Sequence, residues 1–259
     1  MIRFAVLGSG SSGNSAVVEC GSLRFMIDAG LSAKQLTLRL EQLGIAPESL
    51  DGILLTHEHG DHVRGLKVLL KKHPVPVLTT SQTAHVVREL GIEAATWKTF
   101  ESGQSFAIGE TTISSFSIQH DAVDPVGFVI SHQSRRFGFV SDAGYVTKSM
   151  TKNMRGLHGL FIEANYDDDL LESDTKRPWS IKQRISSKHG HLSNHQVGEL
   201  LSEIAHAELQ QVVLGHLSSD CNQPDVATKH LRSRLDEAGH PHVQLTCAHP
   251  DTPSGWFTI

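Results

Sequence analysis

The stretch Thr56-His57-Glu58-His59-Gly60-Asp61-His62 constrains this chain more than any other. It places three imidazoles and the Asp61 carboxylate within six residues. The apolar run Ile53-Leu54-Leu55-Thr56 precedes it and predicts a buried strand. Val63-Arg64-Gly65-Leu66-Lys67-Val68-Leu69-Leu70 follows and predicts a helix that Pro74 stops. The loop is thus held on both sides at the carboxyl end of a strand. Imidazole nitrogens and carboxylate oxygens are donors that zinc, iron and manganese accept. His57 and His59 can reach one ion, while Asp61 and His62 can turn to a second. The plain alternative is a polar loop that happens to be rich in histidine. The length and order of H-x-H-x-D-H argue against it.

The bulk numbers set the frame. The chain has 259 residues, 39% hydrophobic and 20% charged, as an ordinary globular protein does. One domain spanning residues 1–259 is expected. Ile2–Leu7 is too short for a signal segment, no run approaches a membrane span, and a cytoplasmic location is expected. Cys20, Cys221 and Cys247 are odd in number and form no C-x-x-C pair, which suits reduced thiols. The net charge of −5 supplies no general attraction for nucleic acid, so any basic surface must be local.

Along the chain, Ile2–Leu7, Ala16–Cys20 and Arg24–Ile27 predict strands. Gly8, Gly10 and Gly13 match the spacing G-x-G-x-x-G. A dinucleotide fingerprint needs a helix after the glycines, and here a strand follows. The Gly/Ser loop is instead expected to line a site for an anion with its N–H groups. Ser32 with Gln35 opens a helix as a capping box, and Gly44 ends it. Strands and helices then alternate through Leu90, strands dominate to Ser141, and Leu160–Ile162 is another strand. Residues 166–190 read as polar and irregular. Ser193 with Gln196 caps a helix through Ala205, and Val212–Leu214 is a strand. A helix begins near Pro224, and Val243–Cys247 is read as the last strand. This order suits two sheets packed face to face with helices outside.

One pattern needs no family knowledge. Asp28, the His57–His62 group, His120, Asp142, Glu163 and His216 each follow or end a predicted strand. In layered α/β folds ligands gather beyond the carboxyl ends of strands. Any one histidine there is more often structural, but six such ends argue for a shared site.

The motif and this constellation resemble the metallo-β-lactamase superfamily. That resemblance implies an α+β fold, a four-layer αββα sandwich, holding two divalent ions (zinc or manganese, with iron also accepted). It implies His57, His59 and His120 at one ion, Asp61, His62 and His216 at the other, and Asp142 bridging them. Asp28 would orient ligands from behind. True β-lactamases usually have no histidine at the position of His62 and a cysteine at that of Asp142, so β-lactam hydrolysis is not implied. Glu163-Ala164-Asn165 and Gly190-His191-Leu192-Ser193-Asn194 resemble segments of tRNA 3′-processing enzymes, in which such an acid and histidine act at the leaving group.

The chain also resembles the YycJ/WalJ-like family along nearly its whole length. It shares Gly8-Ser9-Gly10-Ser11-Ser12-Gly13-Asn14-Ser15, His120-Asp121-Ala122 and the His191 loop; Tyr166 departs from an expected histidine. This implies a 5′–3′ DNA exonuclease, with a hydroxide shared by two ions as nucleophile, Asp61 among the catalytic residues, and His191 backed by Glu163 as acid. Lys176, Arg177, Lys182, Arg184 and Lys188, with Trp179 among them, suit a nucleic-acid backbone; a solvated loop is the plain alternative. Two rivals stand: a hydrolase of a small thioester or cyclic phosphodiester, and a non-catalytic metal-dependent regulatory protein.

Overall fold

The computed structural model describes residues 1–259. Six strands come first: β1 (Ile2–Gly8), β2 (Ser15–Cys20), β3 (Leu23–Ile27), β4 (Gly52–Leu54), β5 (Val77–Thr80) and β6 (Trp97–Phe100). Seven more follow as β7 (Ser105–Ile108), β8 (Thr111–Ser117), β9 (Val126–His132), β10 (Arg135–Val140), β11 (Gly159–Glu163), β12 (Gln211–Gly215) and β13 (Gln244–Cys247). The short β14 (Phe257–Thr258) closes the chain. Two seven-stranded sheets result, ordered β14-β1-β2-β3-β4-β5-β6 and β13-β12-β11-β10-β9-β8-β7. The last strand is therefore β14, antiparallel to β1, and not β13 as expected; two residues are too few to show a period.

The strands alternate between two destinations because successive side chains point to opposite faces. In β1, Ile2, Phe4 and Val6 enter the cluster between the sheets, while Ala5 and Leu7 face the helices. From the opposite sheet Phe137, Phe139 and Phe161 enter the same layer, while Val140, Leu160 and Ile162 face away. Phe139 stacks on Phe161 with centroids 4.5 Å apart, and Phe4 on Phe137 at 4.3 Å. Both faces of the central strands are buried, which is why they read as nearly continuous apolar runs.

The outer layers are helical. Beyond the first sheet lie α1 (Ala33–Gln42), α2 (Gly60–Val63), α3 (Leu66–Lys72) and α4 (Ser81–Glu89). Leu36, Leu40, Leu66, Leu69, Leu70 and Val87 bury against it. In the second half come α5 (Lys148–Met154), α6 (Asp168–Ser173), α7 (Trp179–Ile185), α8 (Asn194–Ile204) and α9 (Pro224–Glu237). Of these α5, α8 and α9 cover the second sheet through residues such as Met150, Leu201 and Leu231. The layers run helix, sheet, sheet, helix. No helix is long and apolar enough to cross a membrane.

Two readings need correction. The segment expected to be one helix after the histidine motif is two, α2 and α3, broken at Arg64-Gly65. Gly65 donates to the Ala29 carbonyl, and a Cβ there would strike the Leu31 carbonyl. The segment 166–190 is not irregular but contains α6 and α7. Leu171 is the one buried residue of α6 and α7 has none, so neither shows an apolar stripe.

Candidate metal centre

The site lies where several strands of the two sheets end. Asp28 follows β3, Asp142 lies two residues past β10, Glu163 ends β11 and His216 follows β12. Four non-glycine residues have positive φ, and three of them are Asp28 (59°), Asp142 (55°) and His216 (51°). That conformation costs a non-glycine residue on the order of 1–3 kcal/mol, and such residues cluster at functional sites. Here it turns each side chain sharply off its strand end.

The loop from His57 to His62 is held by buried polar contacts. The Asp28 carboxylate accepts from the Thr56 N–H at 2.8 Å and the Thr56 hydroxyl at 2.9 Å. Its Oδ2 lies 2.8 Å from His62 Nδ1. That contact assigns the Nδ1 proton and leaves His62 Nε2 to face the Asp142 Oδ2, 2.6 Å away. Thr56 Oγ1 also contacts His57 Nδ1 at 2.9 Å, leaving His57 Nε2 3.9 Å from Asp142 Oδ2. His59 is the N-cap of α2, so Asp61 and His62 occupy its first turn. Gly30 permits this approach, since a Cβ would collide with the Asp61 carbonyl.

The remaining residues converge from the second half of the chain. His120 Nδ1 donates to the Gly190 carbonyl at 3.1 Å, and its Nε2 lies 3.2 Å from His59 Nδ1. His216 Nδ1 is 2.9 Å from Asp142 Oδ1, and its Nε2 is 3.6 Å from Asp61 Oδ2. Asp61 Oδ2 is also 3.5 Å from His62 Nε2. His191 Nδ1 lies 3.0 Å from Glu163 Oε2 and 3.3 Å from Asp142 Oδ1. Glu163 Oε1 accepts from the Ala143 N–H and, at 3.4 Å, from the Leu192 N–H. Asp142 thus turns one oxygen to His57 and His62 and the other to His191 and His216.

Ligand atoms close enough for one ion fall into three overlapping groups: His57, His59 and His120; His57, His62 and Asp142; and Asp142, Glu163, His191 and His216. All seven residues expected as ligands meet in this centre, with Glu163 and His191 beside them. The grouping differs from expectation in the second set: His62 clusters with His57 and Asp142, and Asp61 falls in none of the three groups. His216 clusters with Glu163 and His191, and Asp61 connects it to His62, whose ring centroid is 6.4 Å away.

Electrostatics keep the site charged. Burial would raise the Asp142 carboxyl, but the His216 and His62 imidazolium charges outweigh it and hold the group well below the usual carboxylate range. Burial opposes the Asp61 carboxylate too, and the His216 and His62 imidazoles, 3.6 and 3.5 Å from its Oδ2, hold it low. Burial and the neighbouring His62 charge push His57 well below its ordinary value, so this imidazole is neutral, as a metal ligand must be. Without a cation, His62 and His216 stand well above theirs because Asp142 overcomes their burial, and each would release a proton on binding metal. The His57 and His216 Nε2 atoms are buried without a hydrogen-bond partner. Unpartnered buried nitrogens among carboxylates fit a bound cation, and the nitrogen-and-oxygen donor set suits zinc, manganese or iron.

Several supporting residues lay outside the sequence reading. Asn14 donates to Asp61 Oδ2 at 3.1 Å, and its Nδ2 lies 3.2 Å from His62 Nε2. The Asn14 Oδ1 accepts from the Gly10 N–H and the Ser9 hydroxyl, while Ser9 Oγ accepts from the His216 N–H at 2.7 Å. Thus Gly10 spends its N–H on Asn14 and not on an anion, and the loop acts as a brace. Asn165 donates to the His216 carbonyl at 2.8 Å. Asn14 and Ser9 lie in the singled-out Gly/Ser loop; Thr56 and Asn165 flank motif residues.

Four of the five basic residues are already engaged. Lys176 pairs with Asp220, and Arg177 pairs with Asp174 and Asp220. Arg184 pairs with Asp121 at 2.6 Å, and Lys182 Nζ donates to the Glu172 carbonyl. Lys188 makes no ion pair; its Nζ sits 5.6 Å from the Tyr145 ring centroid. Trp179 is exposed. A cavity of about 120 Å³ beside the centre is lined by His120, Asp121, Ile181, Arg184 and His191 among others.

Comparison with known proteins places this geometry. A family model described as "Beta-lactamase superfamily domain" matches residues 23–217. The chain is 35% identical over 240 residues to "Exodeoxyribonuclease WalJ" of Streptococcus pneumoniae serotype 2 (strain D39 / NCTC 7466), covering 91% of this chain and 89% of that one. It is 32% identical over 240 residues to "Exodeoxyribonuclease YycJ" of Bacillus anthracis, covering 92% and 90%. The metallo-beta-lactamase fold protein YhfI from Bacillus subtilis shares the fold, with a TM-score of 0.76, 17% identity, and coverage of 98% and 99%. The expected metallo-β-lactamase fold is therefore present, and the chain belongs to the β-lactamase superfamily, in the family of the WalJ and YycJ exodeoxyribonucleases.

Proposed function

We propose that this chain is a dinuclear metal-dependent phosphodiesterase that degrades DNA from an end in the 5′–3′ direction. The observation that carries the reading is the position of Asp142, buried between His57 and His62 on one oxygen and His191 and His216 on the other. His57, His59 and His120 would hold one ion, Asp61, His62 and His216 the other, and Asp142 would serve both. Bound zinc or manganese would polarise the phosphate and supply a nucleophilic water at neutral pH.

The chain's own residues do the rest. Asp28 and Thr56 fix the His62 and His57 rings, and Asn14 steadies Asp61. Glu163 holds the proton on His191 Nδ1, so Nε2 is the group free to serve a departing oxygen. His191 retains 21% of its side-chain surface, whereas Glu163 is fully buried behind it. That suits a proton donor facing substrate with its orienting acid behind. The family's named activity and the nucleic-acid substrate it implies support DNA over a thioester. The free thiols of Cys20, Cys221 and Cys247 support a cytoplasmic location.

The test uses metal-stripped protein resupplied with zinc, manganese or iron on DNA labelled at either end. Early release of 5′-labelled mononucleotide, dependent on metal, is expected. Intact DNA alongside hydrolysis of a small cyclic phosphodiester would replace this reading with the small-substrate one.

A further inference from the structure

We propose that the cleft between α5 and α8, entered past Tyr145, carries a single nucleic-acid strand away from the metal centre. This deepens the nucleic-acid reading above and rests on it. The chain runs from Asp142 through Ala143 and Gly144 to Tyr145, then into α5. Three residues span at most about 11 Å, so Tyr145 lies within about that distance of Asp142. Its position is set by close backbone packing. The Gly144 N–H donates to the Gln119 carbonyl, and a Cβ on Gly144 would collide with the backbone of Lys188 and Gly190. This brings Tyr145 beside Lys188, whose ammonium lies 5.6 Å from the ring centroid, two residues before Gly190 and three before His191. Tyr145 is 45% exposed.

From there a cleft of about 610 Å³ follows α5, lined on that side by Tyr145, Lys148, Lys152 and Arg155 and on the α8 side by Glu199 and Glu203. Lys148 and Lys152 are one helical turn apart and share a face. Both are exposed, and neither makes an ion pair or a side-chain hydrogen bond. Of the acidic wall, Glu203 pairs with Arg155 at 2.9 Å, while Glu199 lies 3.4 Å from the exposed His195. The α5 side therefore carries two unpaired lysines against the one carboxylate without a lysine or arginine partner, Glu199, and Lys188 stands at its head. By contrast Lys176, Arg177 and Arg184 are tied to aspartates. An exposed aromatic ring followed by two unpaired lysines one helical turn apart is an arrangement that stacks one base and neutralises phosphates without reading sequence.

The test uses the full-length, metal-loaded protein and single-stranded DNA of increasing length. K148E/K152E should raise the KM for long strands by roughly 10-fold or more, with a smaller effect on the shortest. Each phosphate contact contributes a slope of about 0.7 in log affinity against log salt for single strands, so losing two should flatten the dependence by about 1.4. Tyr145→Ala should weaken binding roughly 5- to 150-fold, the value of one stacked base, and Tyr145→Phe should restore it. Lys148→Gln with Lys152→Gln, which preserves helix propensity, should show the same slope change should the reversed charges unfold α5. An unchanged salt slope in both lysine pairs, with the parent degrading DNA normally, overturns the strand path and leaves the nuclease reading standing. A parent that neither binds nor degrades DNA overturns both.

Discussion

Oδ2 of Asp28 lies 2.8 Å from Nδ1 of His62, and both side chains are completely buried. The two residues are 34 positions apart, and the left-handed turn after β3 aims the carboxylate at the ring. The contact holds the ring so that His62 Nε2 faces Asp142. Burial raises the Asp28 carboxyl above its ordinary range, so its ionised form depends on the donors of His62 and Thr56. Asp28→Asn keeps the shape but removes the charge that holds the Nδ1 proton. Metal affinity should fall by ~10–100-fold, the usual cost of losing such a partner. Competition with a chromogenic chelator would measure it; an unchanged affinity would remove Asp28 from ligand orientation.

His191 should show the substrate dependence of a proton donor. A nucleotide alkoxide is a poor leaving group and needs a proton, while p-nitrophenolate leaves without one. His191→Ala should therefore cost ~10²–10⁴-fold on DNA and far less on a p-nitrophenyl phosphodiester. Glu163→Gln should act in the same sense but more mildly, since Glu163 touches the ring and not the substrate. Equal losses on both substrates, with metal content intact, would show that His191 positions the phosphate.

The metal-free protein should have a distinctive pH profile. Burial alone would lower His191, but the Glu163 charge and the hydrogen bonds that the ring donates to Asp142 and Glu163 push it up to about 9. Its folded value is raised, so its contribution to stability is complete below the unfolded value near 6.5 and is lost as pH rises through about 9. Melting temperature of the metal-free protein should fall across that window. His191→Gln should remove that part of the decline. Histidine-resolved NMR titration would check the site itself, and a midpoint below 6.5 would contradict the pairing.

How much could be read in the chain follows the same physics. Strands buried on both faces, such as β1, β11 and β12, announce themselves as apolar runs, and the polar residue at each end then stands out. That is why Asp28, Asp142, Glu163 and His216 were legible. Asn14 and Ser9 were not, because a brace across 47 positions, as from Asn14 to Asp61, leaves no local period. The pairing of Lys176 and Arg177 with Asp220, more than 40 positions away, was equally hidden and made the segment seem more basic than it is. Helices α6 and α7 escaped for the opposite reason: they bury almost nothing.

The most direct check of a two-ion centre divided by one carboxylate is metal counting on the parent and on Asp142→Ala. The parent should hold two divalent ions per chain. Asp142 stands 2.6 Å from His62 Nε2 on one oxygen and 2.9 Å from His216 Nδ1 on the other, so its loss should empty both positions together. The variant retaining one full equivalent, or the parent never exceeding one, would contradict the shared centre.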